Sequence, residues 1–150
     1  MIMKKIYKEI KKDNLIYGRT SVYNINYHIV WTVKDRKRIL TPEIETQLKL
    51  ICKQLGDEHG FKVQIMEVGN QYHVHCFVSV PPKLSISKIV KILKGTSARL
   101  LFIQFPELKS KLYKNTLWNP SYYVETIGCI SESVVKNILK INQNRKVVIG

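Results

Sequence analysis

His73-Val74-His75 is the part of this 150-residue sequence best equipped for chemistry. In a strand, side chains alternate with a period of two, so both imidazoles project to one face while Val74 turns to the other. Two adjacent imidazoles are a competent pair of metal ligands, and a divalent ion held there can polarise a phosphate oxygen. The competing reading is a polar strand surface with no ligand. His28, on an earlier predicted strand, shares the orientation of the pair, as a further ligand or as a hydrogen-bonding neighbour. His59 falls at a predicted helix end, where a cation suits the dipole, and is given no chemistry. Cys52, Cys76 and Cys129 are too widely spaced for a Cys-x-x-Cys zinc site and odd in number for a disulfide framework, so they read as reduced core residues.

The elements that must carry these groups follow from periodicity. Residues 1–20 form a basic N-terminal extension with six cations, where Ile2, Ile6 and Ile10 suggest a short amphipathic helix; residues 21–150 read as a single domain. From Tyr23 the chain alternates, with Tyr27, Ile29, Trp31 and Val33 on one face and Asn26, His28, Val30 and Thr32 on the other. After a basic turn, Thr41-Pro42-Glu43 supplies an N-cap, a first-turn proline and an early acid. The helix that follows carries Ile44, Leu48, Ile51, Cys52 and Leu55 on one stripe and stops at Gly60. Phe61 to Val68 and Tyr72 to Val80 read as a hairpin around Gly69-Asn70-Gln71, ended by Pro81-Pro82. A second helix runs from Ser85 to about Phe105, a fourth strand from about Ser121 to Thr126, and a last helix from Ser131 to Asn144.

This order, β-α-β-β-α-β with an extra C-terminal helix, is the α+β, ferredoxin-like arrangement: a four-stranded antiparallel sheet with two helices on one face. The helices are expected over Tyr27, Ile29, Trp31, Val74, Cys76, Val78 and Val80. The face bearing the histidines is then left open.

Charge narrows the partner. The chain has 25 Lys plus Arg against 11 Asp plus Glu, a net charge of +14, with a pI near 9.8. Apolar and charged fractions of 45% and 24% are ordinary for a globular protein, which argues against disorder, and the charge suggests a polyanion, nucleic acid being the commonest, with an acidic membrane surface or plain solubility giving the same arithmetic. No window approaches the roughly 18 to 20 apolar residues of a membrane span, and the lysine-rich start lacks the pattern of a secretory signal, which gives a cytoplasmic expectation. Lys34, Arg36, Lys37 and Arg38 cluster after the first strand. Lys88, Lys91, Lys94 and Arg99 lie on the second helix, the three lysines spaced to share one face. Lys109, Lys111 and Lys114 follow. Tyr113, Trp118 and Tyr122 are candidates for stacking on unpaired bases.

Several ordered motifs together resemble a known family. Tyr27-His28-Ile29-Val30-Trp31, the histidine pair, Lys94-Gly95-Thr96-Ser97-Ala98-Arg99, Leu117-Trp118, Tyr122 through Gly128 and Asn142-Gln143 are similar to the HUH single-tyrosine transposases of the smallest bacterial and archaeal insertion sequences. The resemblance implies a homodimer that binds hairpin-ended single-stranded DNA. It also implies Mg²⁺ or Mn²⁺ held by His73, His75 and Gln143, and a tyrosine four residues before that glutamine attacking phosphorus. That position is Leu139; counted instead from Val134-Val135-Lys136-Asn137, it is Ile138. Neither side chain can form a phosphodiester link, and no tyrosine occurs after Ile127. Tyr122 and Tyr123 are weighed as substitutes, one of them necessarily on the histidine face but about two strand spacings, roughly 10 Å, away, so a core or stacking role is expected for both. Tyr72 stands where the family has an acid, with Glu67 or Asn70 as possible compensation.

The expectation is therefore a transposase with its nucleophile missing, or a binding-only descendant that recognises hairpin DNA or RNA. An RNA-recognition-motif protein shares the element order, but its aromatic sheet signature is absent.

Overall fold

Strand β1 (Asn26–Thr32) forms where the alternation places it, and it occupies an inner position. Its neighbours give a four-stranded antiparallel sheet in the order β2-β3-β1-β4, with β2 at Lys62–Gly69, β3 at His73–Ser79 and β4 at Tyr123–Ile127. Helix α1 (Pro42–His59) joins β1 to β2, α2 (Ile86–Gln104) joins β3 to β4, and α3 (Glu132–Asn144) closes the order. This is the expected ferredoxin-like α+β arrangement. The computed structural model describes residues 15–144, so the helix expected around Ile2, Ile6 and Ile10 lies outside the described residues. Just before β1, Ile16–Tyr17 and Val22–Tyr23 pair as a small antiparallel ribbon.

Local chemistry sets the element ends. Thr41 Oγ1 accepts from the Ile44 backbone N–H at 3.5 Å and caps α1 ahead of Pro42. At the other end Gly60 takes φ 82°, a left-handed conformation that a Cβ would strain. Gly56 is required for another reason: a Cβ there would lie 2.7 Å from the Phe61 carbonyl oxygen, where the chain folds back from α1 into β2. The turn between β2 and β3 places Asn70 and Gln71 at φ 52° and 61°. A bulge between Val63 and Ile65 shifts the register of β2.

Both helices cover one sheet face. Ile29, Trp31, Val74, Cys76 and Val78 from the sheet, Leu48, Cys52 and Leu55 from α1, and Ile89, Leu93 and Leu101 from α2 form one buried cluster. Truncating any of the larger members to Ala would cost about 2–5 kcal/mol. Trp118 closes the cluster beyond α2: its ring meets Trp31 edge-on at 5.9 Å, and its Nε1 donates to the fully buried Ser97 Oγ at 3.0 Å.

The opposite face departs from expectation, because it is not open. Asn26, His28, Val30, Thr32, His75, Phe77 and Ser79 are all buried there. Phe77 stacks on His28 with ring centroids 4.5 Å apart, and Ser79 Oγ donates to Asn26 Oδ1 at 2.8 Å. Val135 of α3 is buried as well, outside the helix-side cluster. Strand β4 starts two residues later than predicted. Tyr122 and Tyr123 are exposed (39% and 41%) because they sit at the start of an edge strand, which corrects the core expectation for both. Cys52 and Cys76 are buried free thiols as expected, but Cys129 lies half-buried in the link before α3 rather than in the core.

Candidate functional site

Strand register assembles the histidines. Across β1 and β3, His28 pairs with Phe77, Val30 with His75 and Thr32 with His73, all on the face away from α1 and α2. His73 and His75 lie nearly parallel with ring centroids 6.1 Å apart. His28 is not left as a third free ligand, since its Nε2 is 2.9 Å from His75 Nδ1 and its Nδ1 is 2.8 Å from Glu125 Oε1. Glu125 comes from β4, where it pairs with His28, and its other oxygen accepts from the Tyr123 hydroxyl at 3.1 Å. Of the two tyrosines, Tyr123 is the one on the histidine face, paired with Val30. The Tyr72 ring lies against His73, tilted by 31° with ring centroids 4.1 Å apart. Glu67 pairs with His75 in register but is solvent-exposed, and Asn70 lies in the turn.

Burial holds these imidazoles neutral. It pushes the pKa of His75 down to about 3, with His28 and His73 adding to the effect. It also lowers His73, helped by the positive charge of Arg36, and it lowers His28 against the opposing pull of Glu125. Neutral imidazole is the form that binds metal. His73 Nε2 and Thr32 Oγ1, on one cross-strand pair, are both buried without a hydrogen-bond partner, which is the state expected of atoms that await a ligand. Among the described residues no group of three or more His, Cys, Asp and Glu gathers closely enough to hold a metal. A metal on His73 and His75 therefore needs a ligand of another type, and the amide of Gln143 has that chemistry; Gln143 lies on α3 and its side chain is outside the described residues.

The basic residues divide into separate groups. Asp35 and Arg36 take positive φ, and the segment after β1 is tied to the β2–β3 turn through Val33 N–H to Tyr72 O (2.8 Å) and Leu40 N–H to Gln71 O (2.9 Å), which brings Arg36 to His73. Lys37 and Arg38 remain exposed. Lys34 turns instead toward a groove of about 690 Å³ that Lys94, Tyr113, Lys114 and Trp118 also line. Lys88, Lys91 and Arg99 share a second groove of about 770 Å³ on the outer side of α2, across the sheet from the histidines. Lys94 leaves the predicted three-lysine face: its Nζ donates to the carbonyls of Asn119 (2.7 Å) and Ser121 (3.1 Å), lies 5.8 Å from the Tyr122 ring centroid, and its pKa is lowered by burial. Sequence reading missed Glu125, because only the pairing of β4 with β1 reveals its partner.

A family model described as IS200-like transposase matches residues 21–141. The chain belongs to the IS200-like transposases. It is 36% identical to the ISDra2 transposase TnpA of Deinococcus radiodurans over 129 residues, which span 86% of this chain and 91% of that relative. It is 32% identical to the transposase of insertion sequence element IS200 from Salmonella typhimurium over 106 residues, 71% of this chain and 69% of that one. Among solved structures, this IS200-like transposase is similar to a crystal structure from D. radiodurans R1 assigned to a transposase, at TM-score 0.69 and 35% identity, covering 86% of this chain and 96% of that one. It also shares the fold of a REP-associated tyrosine transposase bound to a REP hairpin, at TM-score 0.55 and 16% identity, covering 86% and 71%. Among the described residues of this family member, no helix is long and apolar enough to cross a membrane.

Proposed function

We propose that this transposase-family chain binds hairpin-ended single-stranded DNA in the cytoplasm as a homodimer, holding Mg²⁺ or Mn²⁺ on His73, His75 and Gln143, without forming the covalent tyrosine link. The observation that carries the reading is the pair Ile138 and Leu139. Both are half-buried on α3, at the two positions where the nucleophile is expected, and neither can attack phosphorus. A bound divalent ion would draw charge from a phosphate oxygen and so favour attack at phosphorus.

The chain's own groups supply the rest. Burial keeps His73 and His75 neutral and able to donate a nitrogen lone pair. Arg36, close to His73, is placed to take a phosphate beside them. Lys88, Lys91 and Arg99 offer three cations along one groove to a hairpin stem, and Lys34 and Lys114 line the other groove. Tyr113, 66% exposed, presents a ring face for an unpaired base. Tyr123 is a poor substitute nucleophile, because its hydroxyl is spent on Glu125 and that bond raises its pKa.

Fluorescence anisotropy with hairpin-tipped single strands against random duplex of equal length tests the binding, with tighter binding of the hairpin expected. Equal affinity for the two would remove the claim. Denaturing electrophoresis after incubation with Mg²⁺ or Mn²⁺ tests the chemistry, and no DNA-linked band is expected.

A further inference from the structure

We propose that Glu125 and His28 are positioning residues that fix the tautomer and ring orientation of His75, so that its Nε2 presents a lone pair toward the metal position. The inference rests on the metal reading of the histidine pair and adds to it a relay from the sheet edge. A carboxylate accepts and cannot donate, so the 2.8 Å contact requires the proton on His28 Nδ1. Neutral His28 then has only a lone pair at Nε2. The 2.9 Å contact with His75 therefore requires the proton on His75 Nδ1. With that nitrogen occupied, His75 Nε2 is the one left to bind an ion.

Geometry makes the relay rigid. His28 is fully buried, lies nearly parallel to His75 (ring centroids 5.2 Å, interplanar angle 10°), and is backed by Phe77 at 4.5 Å. Glu125 is held at both oxygens, by His28 and by the Tyr123 hydroxyl. Register alone sets the alignment, since Glu125 pairs with His28 across β4 and β1 while His75 pairs with Val30, two residues along β1 from His28 on the same face. Ligand histidines elsewhere are oriented by a carboxylate or carbonyl on the second nitrogen; here a second imidazole is inserted between ligand and carboxylate. Within the relay His28 acts as a spacer carrying the influence of an edge residue inward.

The side chain of Glu125 is partly exposed (36%), so it can be changed with little disturbance to the core, whereas His28 cannot. In metal-free, ¹⁵N-histidine-labelled protein, long-range NMR should show His75 protonated at Nδ1 in the wild type, and Glu125→Ala should shift it toward the Nε2-protonated form. In calorimetric titration with Mn²⁺, Glu125→Ala should bind about 10- to 100-fold more weakly. Glu125→Gln, whose amide oxygen still accepts from His28, should restore both the tautomer and most of the affinity, which a purely structural role for Glu125 would not predict. Nε2-protonated His75 in the wild type, or unchanged Mn²⁺ affinity in Glu125→Ala, overturns the proposal. A wild type that takes up no Mn²⁺ while showing Nδ1-protonated His75 supports the relay and overturns the metal reading instead.

Discussion

The burial that readies His75 for a ligand also makes the folded state sensitive to acid. Its pKa in the folded chain is about 3, against 6.5 for a free imidazole. Below about pH 6.5 the unfolded chain takes up a proton that the folded chain refuses. The stability this histidine contributes is therefore fully present above that pH and lost as pH falls toward 3, by up to about 1.4 kcal/mol per pH unit. The thermal midpoint should drop between pH 7 and 5, and His75→Asn should flatten the profile; a wild-type midpoint constant across that range would contradict the assignment. Lys94 and Lys88 make a second contrast. Lys88→Ala should leave the thermal midpoint unchanged but weaken hairpin binding and flatten its dependence on log salt, by about 0.7 to 0.9 for each phosphate left without its cation. Lys94→Ala should lower the midpoint, because it releases two carbonyls at the entry to β4. Alternation alone exposed His28, His73 and His75 as same-face residues. It could not show that Lys94 turns inward or that Glu125 meets His28, since both depend on where the distant residues 119–125 dock.

The last helix carries its own puzzle at the level of elements. Counting from Gln143 puts the nucleophile at Leu139, and counting from the Val134-Val135 end puts it at Ile138, a disagreement of one residue. A reading frame displaced by one base would produce that disagreement. If Asn137 is encoded AAT, the frame displaced by −1 reads TAT, tyrosine, across Asn137 and Ile138. If Ile141 is encoded ATC, the same frame reads CAA, glutamine, across Ile141 and Asn142, four codons on. We expect both codons in the gene, and either AAC at Asn137 or a different codon at Ile141 rules the idea out. At the protein level the two registers are told apart by Leu139→Tyr, which lies four residues before Gln143, and by Ile138→Tyr with Asn142→Gln. A denaturation-resistant DNA adduct with Mn²⁺ from Leu139→Tyr keeps the metal ligand at Gln143, and an adduct from the paired substitution alone supports the displaced frame and moves the ligand to position 142. Elements with a strong local signal were legible in advance: the Thr41-Pro42 start and Gly60 stop of α1, and the Gly69–Gln71 turn of the hairpin. Strand β4 was placed two residues early because Ser121 and Tyr122 have strand-like composition, while Lys94 binds the backbone just ahead of them.

For the molecule as a whole, the +14 is distributed rather than concentrated. Arg36 stands with the histidines, whereas the groove of Lys88, Lys91 and Arg99 lies across the sheet, behind a helix about 10 Å thick. Under the proposed function, a hairpin in that groove and a strand end at His73 and His75 would have to be joined around the edge of the sheet. The core makes a simpler claim: burial raises the thiol pKa of Cys52 to about 12 and also pushes that of Cys76 well up. Native protein should then react with a thiol reagent only at Cys129, and at all three cysteines once denatured; a fast second thiol in the native state would mean a looser core. The covered histidine face was the one large feature hidden from the sequence, because alternation shows which residues share a face and not whether that face is covered. Among the described residues strand β4 pairs only with β1, so the carboxylate that governs His75 sits on the rim, where backbone opening costs least. Ion capture and rim fraying thus become linked equilibria: Mn²⁺ uptake should slow amide exchange across Tyr123–Ile127, and peeling back that strand would release the ion while the core stays folded.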